Sequence, residues 1–149
     1  MEKFLLKQYK ELLSAKFIDV YLINEQLDNW CVDFGVQLLN PDNNLFKSLR
    51  RKKIYSIKFM IKFPKNYPDY PPFIYLKFPS INSLPKGAFC TEILLPQGWI
   101  PEISIETLLI QLSLPLNTGR VDGLDNDEDD AKNLFETFAK IHKNDIFTY

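Results

Sequence analysis

The thiol of Cys90 is the side chain in this sequence best placed to carry out chemistry. It lies in the middle of residues 79–99, which show no sustained helical or strand periodicity. A stretch of roughly twenty residues without regular structure inside a compact domain is usually functional. A cysteine thiolate is a strong nucleophile toward activated carbonyl groups. We therefore take Cys90 as the candidate nucleophile.

The second cysteine and the single histidine are weaker candidates. Cys31 lies on the more polar side of an alternating run that predicts a strand, where a free cysteine behaves as a small hydrophobe. His142 stands at the end of a predicted helix, where a positive charge complements the helix dipole. These residues match no metal-ligand spacing, so we expect no metal and no other cofactor.

The length, charge and hydropathy of the chain limit its classes of function. Its 149 residues predict one domain, residues 1–149, with one core. The formal net charge of -1 offers no basic surface of the kind that binds nucleic-acid phosphates. No apolar stretch reaches the roughly 18 residues of a membrane span. We expect a soluble protein of the cytoplasm, with the nucleus as a further compartment, and neither nucleic acid nor a membrane as partner.

Hydrophobic periodicity predicts helices and strands on both sides of the Cys90 loop. Alternation of apolar residues with Lys58, Met60 and Lys62 is typical of a half-buried antiparallel strand. Asn24 to Asn29 supplies turn residues, whereas residues 45–53 are too basic and irregular to assign. The predicted elements are a helix over 2–13, strands over 17–22, 30–38, 54–63 and 73–78, a helix after Ser104, and a last helix around 131–142.

Two segments flank these elements with a distinct composition. Residues 64–72 contain four prolines, which prevent both strand pairing and a helix and so predict a rigid loop. Residues 122–130 hold six acidic side chains, which suit the start of the last helix. Ser104 is a typical cap for the helix that follows it.

Several motifs resemble the ubiquitin-conjugating enzyme family. Residues 63–72, FPKNYPDYPP, look like the family's proline loop after the third strand. Residues 87–94, GAFCTEIL, followed by Trp99 and the apolar helix, resemble its active-site cysteine segment, its following Trp and its crossover helix. The resemblance runs from the first helix to the last and is closest to the Q-type subfamily. The residues that carry this closer similarity are 28–30 (DNW), 96–99 (PQGW) and 141–144 (IHKN).

The resemblance implies a fold and an activity. The fold is the α+β, UBC-like one: an N-terminal helix, a four-stranded antiparallel meander, an active-site loop, a crossover helix and a C-terminal helix. The activity is that of a transferase. Cys90 would accept ubiquitin, or a ubiquitin-like modifier, from an activating enzyme as a thioester and pass it to lysine amines, usually with a ubiquitin ligase holding the substrate.

The resemblance also implies supporting residues. Many members place a His, Pro, Asn triplet before the cysteine, and here Ser80, Ile81 and Asn82 stand in those positions. Asn82 is thus a candidate for oxyanion binding or loop support. The alternative interpretation is that Asn82 only forms a turn. Asp122 is the candidate acid that helps to deprotonate the attacking lysine, and its alternative is a solvated charge near a helix start.

Partner contacts follow from the same resemblance. The stripe Lys3, Lys7 and Lys10 on the first helix is similar in kind to the surface that docks on the activating enzyme, although a solvated lysine face explains it nearly as well. The residues expected to contact a ligase are Asp69, Tyr70 and Pro101, which lie on two loops. Asp69 stands at the tip of the proline loop, where the family usually has an apolar residue.

Two other functions compete with conjugation. A non-catalytic UBC variant, or an RWD-type interaction module, would share the meander and the proline loop but would not need a cysteine in register. A cysteine hydrolase would need a histidine within reach of the thiol to protonate a leaving amine. The position of Cys90 argues against the first alternative, and His142 is the one histidine available to the second.

Overall fold

Strands with alternating apolar side chains form the centre of the fold in the computed structural model. The structure describes residues 2–147, and beyond His142 it describes the backbone alone. Met1, Thr148 and Tyr149, which fall within the predicted domain, lie outside the described residues. The α-helices are α1 Glu2–Leu13, α2 Asn44–Arg51, α3 Ile105–Ser113 and α4 Glu128–Phe147. The strands are β1 Ile18–Ile23, β2 Gln26–Gly35, β3 Ser56–Lys62, β4 Phe73–Phe78, β5 Ser80–Ile81 and β6 Val121–Gly123.

The larger sheet is an antiparallel meander in the order β1-β2-β3-β4, as predicted. Val20 pairs with Val32, and Val32 with Phe59, so that the apolar residues of successive strands share one face. That inner face joins Leu5 of α1 and Leu108 of α3 in one hydrophobic cluster. Each large apolar side chain buried in this way contributes about 1.5–3 kcal/mol.

The outer face of the sheet is partly covered by α4. Tyr21, Cys31, Met60 and Tyr75 form a row across the four strands. Tyr75 packs with Ala131 of α4, and burial raises the pKa of Tyr75 to about 12. The sequence correctly placed Cys31 on the face opposite Val32, but the side chain is buried there, and its thiol donates to the Tyr21 hydroxyl at 3.0 Å.

Helix α2 was not assigned from the sequence. Its Leu45 and Leu49 are fully buried, and the Ser48 hydroxyl accepts from the backbone N–H of Val121 at 2.9 Å. The exposed positions of α2 are mostly basic. Its buried apolar stripe consists of only two side chains, one turn apart. A helix of eight residues depends on such tertiary contacts for its stability.

Several predicted boundaries shift for local reasons. The turn after β1 comprises Asn24 and Glu25, both with positive φ as in tight hairpin turns, so β2 already begins at Gln26. Gly35 ends β2, and residues 36–38 form a 3₁₀ turn instead of continuing the strand. Tyr55 precedes β3 and is 70% exposed, so the strand predicted over 54–63 begins only at Ser56.

The helices that flank the Cys90 loop follow the prediction closely. Ser104 caps α3, because its hydroxyl accepts from the backbone N–H of Thr107 at 3.1 Å. Helix α4 begins with Glu128, Asp129 and Asp130 at the positive end of its dipole. Within residues 2–147, the helices are all too short or too polar to cross a membrane.

Candidate active site

The chain approaches Cys90 through a constrained backbone segment. Gly87 has a φ of +77°, and a side chain there would collide with the carbonyl oxygen of Leu76 and the Asn126 amide. Ala88 forms an isolated bridge with Tyr75 of β4. Phe89 is buried and stacks on Phe59 at a ring-centroid distance of 5.7 Å. These contacts fix the two residues before Cys90 to the sheet.

Cys90 is the point where this anchored segment emerges into solvent. Its side chain is exposed, whereas Ala88 and Phe89 before it are buried. The backbone N–H of Thr91 donates to the Phe89 carbonyl at 3.0 Å, which turns the chain sharply around the cysteine. A short 3₁₀ turn, Glu92–Leu94, follows. The thiol is therefore presented on a tight turn with a rigid base.

Trp99 connects the Cys90 loop to the proline loop. Its indole N–H donates to the Pro68 carbonyl at 2.7 Å, and its ring lies 6.1 Å from that of Tyr67. The Tyr67 hydroxyl donates in turn to the Gln8 side chain on α1, and burial raises the pKa of Tyr67. These contacts connect the Cys90 loop to the proline loop and the proline loop to α1.

An open groove of about 690 Å³ lies beside Cys90. It runs between the Cys90 loop, the end of α3 and the first turns of α4, and most of its lining is apolar. The side chains that form its walls include Leu84, Phe89, Ile93, Leu112 and Leu134. An extended chain that brings a carbonyl carbon to the thiol has room to lie there.

The electrostatic surroundings do not activate the thiol in the resting state. Partial burial against the groove raises the pKa of the Cys90 thiol above its ordinary value. The nearest basic residue along the chain is Lys86, which is itself solvent-exposed. The reactive thiolate fraction of Cys90 is accordingly lower than that of an ordinary cysteine.

An ion pair beside the cysteine was missed by the sequence analysis. His142 Nε2 lies 3.0 Å from Glu92 Oε1, and the His142 ring contacts that of Phe138 on the same helix. The pair connects the C-terminal half of α4 to the turn after Cys90, so His142 does not stand at the helix end as predicted, because α4 continues to Phe147. Its partners are fifty positions apart in the sequence, so no local pattern reveals it. The side chains of Lys143 and Asn144, part of the motif noted above, lie outside the described residues.

Asn82 is placed where it supports the approach to the loop. Its backbone N–H donates to the Arg120 carbonyl at 3.0 Å, and its side-chain oxygen accepts from the Arg120 N–H at 2.8 Å. This reciprocal pairing continues the short β5–β6 ladder by one residue. Asn82 is not among the residues that line the groove beside Cys90. Its proposed catalytic role stays a prediction.

Asp122 lies on β6, in a different cleft from Cys90. Its carboxylate accepts from the Ser80 hydroxyl at 2.8 Å, and it shares its cleft with Lys52 and Leu124. The groove beside the thiol is lined by other residues. The role of Asp122 in activating a lysine stays a prediction.

The predicted partner contacts are all accessible. Lys3, Lys7 and Lys10 are exposed on α1, opposite its buried face. On the linked loops, Asp69 and Tyr70 are exposed, and Pro101 is half-buried two residues after Trp99.

Asn126, which no sequence signal marked, is buried and donates to the Leu76 carbonyl at 2.9 Å, so it anchors the acidic segment to β4.

Comparison with known proteins identifies several relatives. No protein-family model matches the chain. The chain is 32% identical over 111 residues to ubiquitin-conjugating enzyme E2Q-like protein 1 of Mus musculus, which covers 72% of this chain and 68% of the relative. It is 31% identical over 124 residues to an E2Q-like protein of Drosophila melanogaster, which covers 78% of this chain and 40% of that protein. The chain thus spans less than half the length of the fly relative.

Solved structures share the same architecture. Human ubiquitin-conjugating enzyme E2 G1 superposes with a TM-score of 0.56 at 25% identity, over 76% of this chain and 93% of that one. The E2 domain of a Toxoplasma gondii ubiquitin-conjugating enzyme gives 0.56 at 21% identity, over 94% of this chain and 92% of that one. The predicted α+β, UBC-like fold is confirmed, with α2 and the β5–β6 pair added to the predicted elements.

Proposed function

Because this chain belongs to the E2Q-like ubiquitin-conjugating enzymes, we propose that Cys90 accepts ubiquitin or a ubiquitin-like modifier as a thioester and transfers it to an amine. The observation that carries this proposal is the position of the thiol. Cys90 is exposed at the tip of an anchored turn and borders an apolar groove. Cys31, by contrast, is buried under Tyr21 and is accessible to no macromolecule.

The first step would be thiol exchange. The Cys90 thiolate attacks the carbonyl carbon of the modifier's thioester on the activating enzyme, and a new carbon–sulfur bond forms at Cys90. The old carbon–sulfur bond breaks, and the activating enzyme's thiolate leaves with the electron pair and takes up a proton. Because a thiolate is a good leaving group, this step needs no acid from the present chain.

The second step would be aminolysis. A deprotonated lysine amine of the acceptor attacks the same carbonyl carbon, an amide bond forms, and the Cys90 thiolate is released. The ammonium proton lost by the lysine passes to solvent or to a nearby carboxylate. Asp122 is our candidate for that carboxylate, because its side chain on β6 is exposed to solvent.

The raised pKa of the Cys90 thiol has a consequence for the intermediate. A thiol of higher pKa is a poorer leaving group, so its thioester is less reactive toward water and toward free amines alike. Transfer then depends on an acceptor amine held close to the carbonyl carbon, which is the contribution of proximity. A ligase that binds Asp69, Tyr70 and Pro101 would supply that proximity, since Trp99 joins their loops to the Cys90 loop.

The remaining assignments rest on placement. We propose that Lys3, Lys7 and Lys10 contact the activating enzyme, supported by their exposure on one side of α1. We assign Asn82 to loop support, because its side-chain oxygen already accepts from the Arg120 backbone.

The test is a loading assay. The protein is incubated with activating enzyme, ATP and ubiquitin, and a non-reducing gel reports an adduct that thiols remove. We expect the adduct with the wild-type protein and with Cys31→Ala, and its loss in Cys90→Ala. Cys90→Ser should form an oxyester that survives thiol treatment. If no ubiquitin-like modifier loads the wild-type protein, the chain acts as a non-catalytic variant. If Cys90→Ala loads equally well, a residue other than Cys90 carries the modifier, and the proposal fails.

A further inference from the structure

A dense group of positive charges stands at the end of α2. Residues 47–53, KSLRRKK, contain five basic side chains, and no acidic residue occurs between Asp42 and Asp69. All five are solvent-exposed. The ion pairs among the described residues join Lys58 to Asp33, Lys62 to Glu128 and His142 to Glu92, and none involves this group. We call it the α2 cation cluster: Lys47, Arg50, Arg51, Lys52 and Lys53.

The cluster is mounted on a rigid base. Leu45 and Leu49 on the opposite side of α2 are fully buried. The Ser48 hydroxyl accepts from the Val121 N–H, and the Leu45 N–H donates to the Asn117 carbonyl at 3.2 Å. Because the helix is held on its inner side, the basic side chains project from a fixed surface.

Helix electrostatics account for only part of the cluster. Positive charges in the last turn of a helix interact favourably with its dipole, and that explains Arg50 and Arg51. Lys47 lies in the middle of the helix, and Lys53 lies beyond its end. Five like charges within seven residues repel one another, and none of them forms an ion pair with an acid among the described residues. The arrangement favours an external anion.

The cluster surrounds a concave apolar surface. A cavity of about 720 Å³ is lined by Pro41 and the half-buried ring of Phe46, with Lys47, Arg50 and Arg51 around them. The ring and the proline offer an apolar contact, and the guanidinium groups offer paired donors that match carboxylate geometry. An occupant therefore needs an apolar side chain with carboxylates on either side of it.

We propose that this surface binds a short acidic peptide segment of a partner protein, with an apolar side chain against Phe46 and carboxylates against Arg50 and Arg51. Outside the cluster the chain carries 13 Lys and Arg against 19 Asp and Glu. An extended polyanion such as nucleic acid or an anionic bilayer would also meet that negative remainder. A short segment meets the cluster alone, since charges beyond about 8 Å are screened at physiological salt.

A direct binding assay tests the proposal without reference to Cys90. The probe is a fluorescein-labelled synthetic nonapeptide with a central leucine between two runs of four aspartates, followed by fluorescence anisotropy. We expect the wild-type protein and Cys90→Ala to bind it equally. Arg50→Glu/Arg51→Glu should weaken binding by at least about tenfold, and Arg50→Gln/Arg51→Gln by less. Lys3→Glu/Lys7→Glu, which changes the net charge equally, should leave the affinity unchanged.

Variants of the probe test both parts of the occupant. Replacing the leucine by serine should weaken binding, and replacing the aspartates by asparagines should abolish it. Equal affinity of the wild-type and Arg50→Glu/Arg51→Glu proteins, with both folded by circular dichroism, overturns the proposal, as does no binding by the wild type. Tighter binding of single-stranded RNA or phosphatidylserine vesicles through the same arginines also overturns it, because the surface would then serve a different class of partner.

Discussion

The imidazole of His142 lies 3.0 Å from the carboxylate of Glu92, two residues after Cys90. Through this pair the C-terminal half of α4 contacts the turn that presents the thiol. Glu92 is mostly exposed, and His142 is partly buried against Phe138. Exposed pairs of this kind are worth about 0.2–1 kcal/mol. The contact therefore adds little to the stability of the fold.

We expect this pair to show a small but measurable coupling. In a double-mutant cycle of Glu92→Gln and His142→Gln, the free energy of unfolding at low salt should give a coupling of about 0.2–1 kcal/mol. The coupling should fall at high ionic strength, because salt screens charges at the surface. A coupling that does not change with salt would mean that the contact is not an ion pair.

The pH dependence of Cys90 follows from its raised pKa. Since the thiolate is the reactive species, its fraction at pH 7 should lie below that of an ordinary thiol and increase about tenfold per pH unit up to the pKa. We expect the alkylation rate of the Cys31→Ala protein by iodoacetamide to reach half its maximum at a higher pH than that of an ordinary thiol. Glutathione provides the reference. A midpoint below that of glutathione would show an activated thiolate and contradict the argument.

The hydrogen bond from Trp99 to Pro68 should matter for loading as well as for stability. Trp99→Phe keeps the aromatic ring but loses the N–H donor, which should cost about 0.5–1.5 kcal/mol in urea unfolding. Trp30→Phe is the matched control, because the Trp30 N–H donates to Leu27 within β2. We expect both variants to be destabilised and only Trp99→Phe to load ubiquitin more slowly. Equal loading rates would argue that the proline loop does not position the Cys90 loop.

Asn82 can be tested by separating its oxygen from its amide nitrogen. Asn82→Asp keeps the acceptor for the Arg120 N–H, whereas Asn82→Ala removes it. If Asn82 supports the loop, Asn82→Asp should discharge a preloaded thioester to free lysine within about twofold of the wild-type rate. Asn82→Ala should lower the free energy of unfolding, measured in urea, by about 1 kcal/mol. A discharge rate of Asn82→Asp that falls more than about tenfold would instead assign its amide to the oxyanion.

Local patterns in the sequence determined the main sheet, three of the helices and the position of the thiol. Alternation along β3 places Ile57, Phe59 and Ile61 on one side, and burial of that side leaves one register for the strand. The loop containing Cys90 is recognisable because it has no such period and carries a family-like motif. Each of these signals lies within a few consecutive residues, so it can be read without knowing the neighbours.

Tertiary contacts decided the remaining features. Helix α2 forms because Leu45 and Leu49 find a buried site beside β6, and two apolar residues alone do not distinguish such a helix from a loop. Cys31 is buried because Tyr21 of the neighbouring strand reaches its thiol. Residues far apart in the sequence make these contacts, and so do Asn82 with Arg120 and Glu92 with His142. Periodicity within one element carries no information about a partner that the fold brings from elsewhere, so only the packed chain shows which polar groups surround Cys90.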